Sequence, residues 1–272
     1  MHSAKITAII VTLNEEKDIP YALKSVRWCD DILVIDLHSE DRTVEYARQY
    51  TQNILYHDRV PAVELARQYA LDRTDGEWIL IIDPDEVVPP LLAQQLRKIS
   101  IQDDVDVVYL PFKNHIWGKW VRYCEWWPDM HARFFRKGAV KLIPEIHSKF
   151  QIKPNSRILM LPGSEEYAMM HFSYLDIEHF VEKTNRYTSV EAIQHPEIKY
   201  SKISLLRSVI KEFRKRYIKL GGYRDGELGF FLSIMYSMYQ ALTIMKRCEI
   251  TMGLTRNAVA SEYDKIRNAI IG

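Results

Sequence analysis

The chain has 272 residues, 47% of them hydrophobic and 27% charged, with a formal net charge of +1. This is an ordinary globular balance, enough for one large domain or a domain with an appendage, and it excludes recruitment of nucleic acid by a global positive field. Three cysteines, Cys29, Cys124 and Cys248, are odd in number and far apart, which excludes a disulfide framework or a zinc spacing and suits a reducing compartment.

The N-terminal stretch "MHSAKITAIIVTLNEE" carries a short apolar run without a small-residue cleavage pattern, so it reads as a first strand and not as a secretory signal. A cytosolic location follows for at least the first two-thirds. "ITAIIVTL" is nearly continuous and β-branched, as in a strand buried on both faces. Asp18 to Trp28 carries Ile19, Ala22, Leu23 and Val26 at helical spacing. "DILVID" is a second strand. Ser39 and Asp41 suit the cap of a helix whose inner face includes Val44 and Ala47. "NILYH" is a short third strand, and Pro61 suits the first turn of a helix with Leu65, Ala66 and Tyr69 inward. "EWILIID" is a fourth strand. A helix near Pro90 to Ile99 and a strand "VDVVYLPF" follow.

Strands alternating with helices predict an α/β fold with a mostly parallel, Rossmann-like sheet flanked by helices. In such sheets ligands bind beyond the carboxyl ends of the strands. Three strands end in polar clusters: Thr12 to Glu15, Asp36 to Ser39, and Asp83 to Glu86. Three clusters at one edge predict one site. From Asn114 to Phe150 the alternation breaks into an aromatic, basic, irregular stretch holding Trp117, Trp120, Trp126 and Trp127. From Asp176 onward the pattern is helical.

The acids after the fourth strand suggest a metal. In a strand alternate side chains share a face, so Asp83 and Asp85 are expected to point together. Carboxylates that close repel unless a cation lies between them. Hard oxygen ligands at a strand end suit Mg2+ or Mn2+, completed by phosphate oxygens and water. A solvated acidic turn would carry the same letters.

Here the chain resembles a family. "AIIVTLNEE", "ILVIDLHSEDRT" and "LARQYALDRTDGEWILIIDPDE" follow, in order and spacing, the pattern of family 2 glycosyltransferases with the GT-A fold. The later segments "PDMHARFFRKG", "EIHSKF" and "HFSYLDIEHFVEKTNRYTSVEA" resemble the branch of lipopolysaccharide-core glucosyltransferases and related bacterial glycan-assembly enzymes. The resemblance implies that Thr12, Asn14 and Glu15 hold the nucleoside, with Glu15 accepting from a ribose hydroxyl, although "NEEKD" also suits a plain helix start. It implies that Asp36 accepts from the base, which favours UDP through the uracil imide N–H. It places Arg67 within reach of the diphosphate. Asp83 would face the ribose or a metal-bound water, Asp85 the metal directly, and His147 the metal or diphosphate. The metal would neutralise the departing diphosphate.

Direct displacement at the anomeric carbon inverts it and needs a general base beside the acceptor hydroxyl. Asp129, Glu145 and Glu125 are the candidates. Asp129 matches the branch's "PD" before "R-x-F"; where many relatives have Glu after the histidine, this chain has Ser148, which leaves the His-Glu pairing open and Glu145 as a second candidate. Trp117, Trp120, Trp126 and Trp127 suit stacking against the apolar faces of an acceptor glycan or glycolipid, or a satellite core under a long loop. A sugar nucleotidyltransferase would need a glycine-rich phosphate loop that "TLNEEKD" lacks. A catalytically inactive carbohydrate-binding or membrane scaffold is the remaining alternative.

The reading divides the chain into a GT-A catalytic domain, 1–175, and a helical region, 176–272. In the latter, Lys211, Arg214, Lys215, Arg216 and Lys219 precede the uncharged run Leu228 to Met245. This suits either peripheral contact with the inner face of the cytoplasmic membrane or packing on the catalytic core or a second subunit.

Overall fold

The computed structural model describes residues 4–143, 150–197 and 201–272. The chain forms two compact units, Met1–His179 and Phe180–Gly272, and each is described by itself.

In the first unit the strands are β1 (Ile6–Thr12), β2 (Asp31–Asp36), β3 (Ile54–Tyr56), β4 (Trp78–Ile81), β5 (Glu86–Val87), β6 (Val107–Ile116), β7 (Lys119–Trp120), β8 (Asp129–Arg136), β9 (Val140–Lys141), β10 (Gln151–Ile152), β11 (Ile158–Met160) and β12 (Met169–Tyr174). The helices are α1 (Ile19–Ser25), α2 (Thr43–Ala47), α3 (Arg67–Arg73) and α4 (Pro90–Ser100), with α5 (Ile177–Gln194) running into the second unit. Among the described residues ten strands join one sheet, ordered β3-β2-β1-β4-β8-β6-β12-β5, with β7 and β11 pairing to β6. β3, β2, β1 and β4 are parallel, as the alternating pattern requires. Beyond β4 the sheet is mixed: β8 runs antiparallel between β4 and β6, and β12 pairs parallel with β6.

β1 is buried at all seven positions because each face has its own cover. Ile6, Ala8 and Ile10 join a cluster with Ala22 and Leu23 of α1 and Leu92 and Leu96 of α4. Ile9 and Val11 join another with Ala70 and Leu71 of α3. Full burial of each Ile or Leu side chain contributes roughly 1.5–3 kcal/mol, so the central strands anchor the sheet whose carboxyl edge carries the polar clusters.

Several local expectations need correction. Pro61 does not open a helix; a 3-10 turn, Val63–Ala66, precedes α3, which begins at Arg67. Ser39 makes no cap for α2, whereas the Asp41 carboxylate accepts from the Thr43 N–H at 3.0 Å. The stretch expected to be irregular holds β8, an interior strand with Phe134 and Phe135 fully buried. Phe134 stacks on Trp78 of β4 at 4.5 Å. Charged neighbours in "DMHARFFR" hid its period of two.

The second unit is helical: α6 (Lys202–Phe213), a π-helical segment Arg214–Lys219, a 3-10 turn Gly222–Asp225, α7 (Gly226–Thr251) and α8 (Arg256–Ile271). Ser201 and Ser204 form a reciprocal capping box at the start of α6. α7 buries Leu228, Leu232 and Met235. Its buried Ser233 and Ser237 hydroxyls donate to the carbonyls of Gly229 and Ser233, at 2.6 and 2.7 Å. By length and composition α7 with the preceding turn is apolar enough to cross a membrane, yet part of that length is packed inside the unit.

Candidate active site

The site assembles at the carboxyl edge of the parallel strands. Thr12 and Asp36 end β1 and β2 and are register partners. Both are fully buried. One Asp36 oxygen accepts from the Ser39 N–H at 3.0 Å; its other oxygen and the Thr12 hydroxyl have no partner. A buried unsatisfied polar atom costs about 1–3 kcal/mol, so two side by side mark a place built for a ligand with its own polar groups.

Asn14 and Glu15 hold this pocket's rim. Asn14 and His38 have φ of 55° and 60°, in the left-handed region. The Asn14 N–H donates to Ser39 Oγ at 2.9 Å, and Asn14 Oδ1 accepts from the Glu40 N–H at 2.7 Å. The Glu15 N–H donates to Thr43 Oγ1 at 2.7 Å. The loops after β1 and β2 are thereby tied into one wall.

Asp83 and Asp85 do not share a strand face. β4 stops at Ile81, and the Glu86 N–H donates back to the Asp83 carbonyl at 3.0 Å, closing a turn in which the two acids meet different partners. Asp83 is held by Arg67 at 2.5 and 2.7 Å and by Arg133 at 3.0 Å. Arg133 also donates to Glu86 at 2.8 Å, and Glu86 in turn accepts from the Asp83 N–H at 2.8 Å. Burial works against an ionised Asp83, but the two guanidinium charges prevail and hold it well below the usual carboxylate range. Burial pushes fully enclosed Glu86 up to about 7, against the pull of Arg133. Burial likewise opposes the Arg67 charge, yet Asp83 and Glu64 raise its affinity for the proton. Two arginines balance the Asp83 charge in this structure.

Asp85 belongs to a second chain of contacts. Its Oδ2 lies 3.6 Å from His171 Nε2. His171 Nδ1 is 2.6 Å from Asn114 Oδ1, and Asn114 Nδ2 donates to the Trp126 carbonyl at 3.1 Å and to Asp129 at 3.2 Å. Those two acceptors orient the Asn114 amide, so His171 must donate from Nδ1. In the neutral ring Nε2 then turns a lone pair toward the Asp85 carboxylate, a pairing that a cation makes favourable. A carboxylate oxygen and an imidazole nitrogen so placed fit a divalent ion whose other ligands are phosphate oxygens and water. Among the described residues no group of three or more His, Cys, Asp and Glu surrounds a metal position. Glu145 and His147 lie outside the described residues.

Asp129 opens β8, and its carboxylate lies 2.8 Å from His131 Nε2. Burial disfavours its charge, but the bonds from His131 and Asn114 hold its carboxyl below the ordinary range, so it is ionised near neutrality. The Phe112 ring lies against His131, His171 and Arg133, at 4.8, 6.2 and 5.2 Å, and floors the cluster.

The tryptophans divide. β6 alternates Phe112 and Asn114 on one face with Lys113 and His115 on the other. Trp120 is the register partner of His115, and its ring carries Lys113 and Arg122, each at 4.0 Å. It lies on the face opposite Asn114, with cations over its ring. Trp126 is buried and contributes its carbonyl. Trp127 meets Trp120 edge to face at 5.3 Å, and Trp117 sits on a left-handed turn with φ of 52°. Glu125, the third candidate base, is exposed in a turn with φ of 77°.

Sequence reasoning missed Arg133, Asn114 and His171 as members of the site. A signal existed for Arg133: a cation inside a run whose neighbours are apolar. The register between β6 and β8 slips beside Val108 and Tyr109, skipping Arg133. Such a bulge re-aims one side chain, here toward Asp83 and Glu86.

Comparison with known proteins places this geometry. Residues 7–175 match the profile described as Glycosyl transferase family 2. The chain belongs to that family. It is 26% identical over 284 residues to an uncharacterised glycosyltransferase of Rickettsia typhi, spanning 95% of this chain and 91% of that protein. It is 23% identical over 254 residues to the lipopolysaccharide core biosynthesis glycosyltransferase LpsC of Rhizobium meliloti, spanning 89% and 91%. A crystal structure of S. aureus TarS 1-349 in complex with UDP superposes with a TM-score of 0.47 at 14% identity, covering 92% of each chain. The chain is thus a family 2 glycosyltransferase with an α/β, GT-A-like catalytic fold and a helical C-terminal region.

Proposed function

We propose that this glycosyltransferase moves a sugar from a UDP donor onto a saccharide of the bacterial surface, in one inverting displacement assisted by Mg2+ or Mn2+. The observation that carries the donor assignment is the pair of unsatisfied buried acceptors, Asp36 and Thr12, side by side at the sheet edge. A uracil imide N–H complements a carboxylate oxygen, and the Thr12 hydroxyl suits a neighbouring polar group of the nucleoside. Likeness to a lipopolysaccharide-core enzyme supports a core or lipid-linked saccharide as acceptor.

In this reading Asp85 and His171 hold the metal, which when bound disperses the negative charge that develops on the leaving diphosphate. Asn114 keeps His171 in the tautomer that presents Nε2. Arg67 and Arg133 hold Asp83 ionised, leaving it acceptor capacity for a donor hydroxyl. Asp129 takes the proton from the acceptor hydroxyl as the oxygen attacks the anomeric carbon; His131 keeps it ionised beforehand. One displacement, with no covalent sugar–enzyme bond, leaves the anomeric centre inverted.

The test is Asp36→Asn. The amide oxygen keeps the bond from Ser39, while the amide N–H2 opposes the imide donor of uracil and suits the acceptor N3 of cytosine. Calorimetry with Mn2+ present should show UDP affinity falling at least about tenfold, from loss of a charged hydrogen bond. The preference for UDP over CDP should narrow. Undiminished UDP affinity in this variant removes the assignment.

A further inference from the structure

The outward surface of α6 and the π-helical segment after it has no role in the chemistry above. Between Lys202 and Lys219 stand seven cations and one anion. The anion, Glu212, is half-buried and bonded to Arg216 at 2.6 Å, so it leaves the outer face wholly positive. Among its exposed residues, Ile203, Leu206, Arg207, Ile210, Lys211 and Arg214 follow a helical stripe. At 3.6 residues per turn, Ile203, Leu206 and Ile210 make one row and Arg207, Lys211 and Arg214 a parallel row beside it. The three apolar side chains are 61%, 63% and 57% exposed, unusual for a row of large aliphatic groups. Arg207, Ile210, Lys211 and Arg214 also line a shallow notch of about 280 Å³.

We infer that this stripe docks on a bilayer surface containing anionic lipids. The helix lies in the interface, its aliphatic row entering the acyl boundary and its basic row meeting headgroup phosphates, one of which the notch accommodates. The two rows select this occupant. A second copy of the chain packed on the same stripe would set Arg207, Lys211 and Arg214 against like charges. A nucleic acid would reward the cations but leave Ile203, Leu206 and Ile210 facing phosphate and water. Only an interface that is anionic at one depth and apolar a few ångströms deeper satisfies both rows. The inference is independent of the UDP reading, since it is argued from residues of the helical unit alone.

Co-sedimentation of the full chain with phosphatidylcholine vesicles, with and without phosphatidylglycerol, tests it, at low and high salt. Binding should require phosphatidylglycerol and weaken with salt. Arg207→Glu/Lys211→Glu/Arg214→Glu should weaken partitioning on the order of a hundredfold or more, because each cation near such a surface is worth about a fivefold change in partitioning. Ile203→Ser/Leu206→Ser/Ile210→Ser should also bind more weakly, with salt dependence retained. Circular dichroism and UDP affinity matching the parent show that the variants are folded. Three results overturn the inference: no binding to phosphatidylglycerol vesicles, undiminished binding by either triple variant, or equal competition by soluble inorganic phosphate and by vesicles. A chain that binds vesicles but hydrolyses no nucleotide sugar keeps this surface and loses the donor reading instead.

Discussion

Arg133 offers the sharpest test of how the site is held together. Its guanidinium is 3.0 Å from Asp83 and 2.8 Å from Glu86, and its side chain is 10% exposed. Replacing it by Met keeps the volume and removes the charge. Asp83 retains Arg67, but Glu86, 1% exposed at its side chain, is left without a guanidinium partner. Breaking a buried pair on one side costs about 3–5 kcal/mol. A unit of this size loses roughly 2–4 °C per kcal/mol, so a drop on the order of 10 °C is expected in thermal unfolding. The cost depends on pH. Glu86 has a folded-state pKa raised to about 7 from an ordinary 4.5, so its favourable contribution is complete below about 4.5 and disappears as pH rises through the folded value. Arg133 pulls that value down, and its loss raises it further. Arg133→Met should therefore lose more stability at pH 8 than at pH 6, where Glu86 takes up a proton. Adding Glu86→Gln, which still accepts from the Asp83 N–H, should recover about 1–3 kcal/mol and flatten the pH dependence. The assay is urea or thermal unfolding followed by circular dichroism at both pH values. A single variant within about 1 kcal/mol of the parent, or a double variant less stable than the single, refutes the picture of a charge-balanced network.

Other expectations follow from the same structure. Asp85→Ala should lower metal-dependent donor hydrolysis at least about a hundredfold with UDP-independent stability unchanged, read by released UDP. Asp129→Asn should lower acceptor-dependent turnover by a similar factor while UDP affinity stays within about twofold, which separates a base from a donor ligand. Asp106 is held down to about 2 by bonds from Arg157. Its stabilisation is present above an ordinary carboxylate value and is lost as pH falls through about 2; because Arg157 is exposed, Arg157→Ala should lower the unfolding midpoint only slightly at neutral pH and less in acid. In the helical unit, a Cβ on Gly229 would meet the Gly222 carbonyl oxygen at 1.9 Å, so Gly229→Ala should destabilise that unit by about 1–3 kcal/mol or more, measured by chemical unfolding.

Much of this protein was readable along the chain. Strands at β1, β2 and β4 announce themselves as β-branched apolar runs, and each ends in a polar cluster, so one donor edge follows from the alternation alone. Thr12 and Asp36 needed no structure to be nominated, only to show that they are neighbours with unsatisfied atoms. Helices α6 and α7 were legible for the same reason: their periods are local.

Local sequence suffices for the set of elements and the chemistry each delivers, because hydrophobic period, caps and turn residues act over a few neighbouring positions. Tertiary structure alone decided the partners. Asp83 meets Arg133 across 50 positions and His171 meets Asn114 across 57, contacts made by inserting β8 between β4 and β6 and β12 beside β6. No window of local sequence contains both members of such a pair, so the division of two adjacent aspartates between arginines and a histidine belongs to the sheet's order and to one bulge in its register.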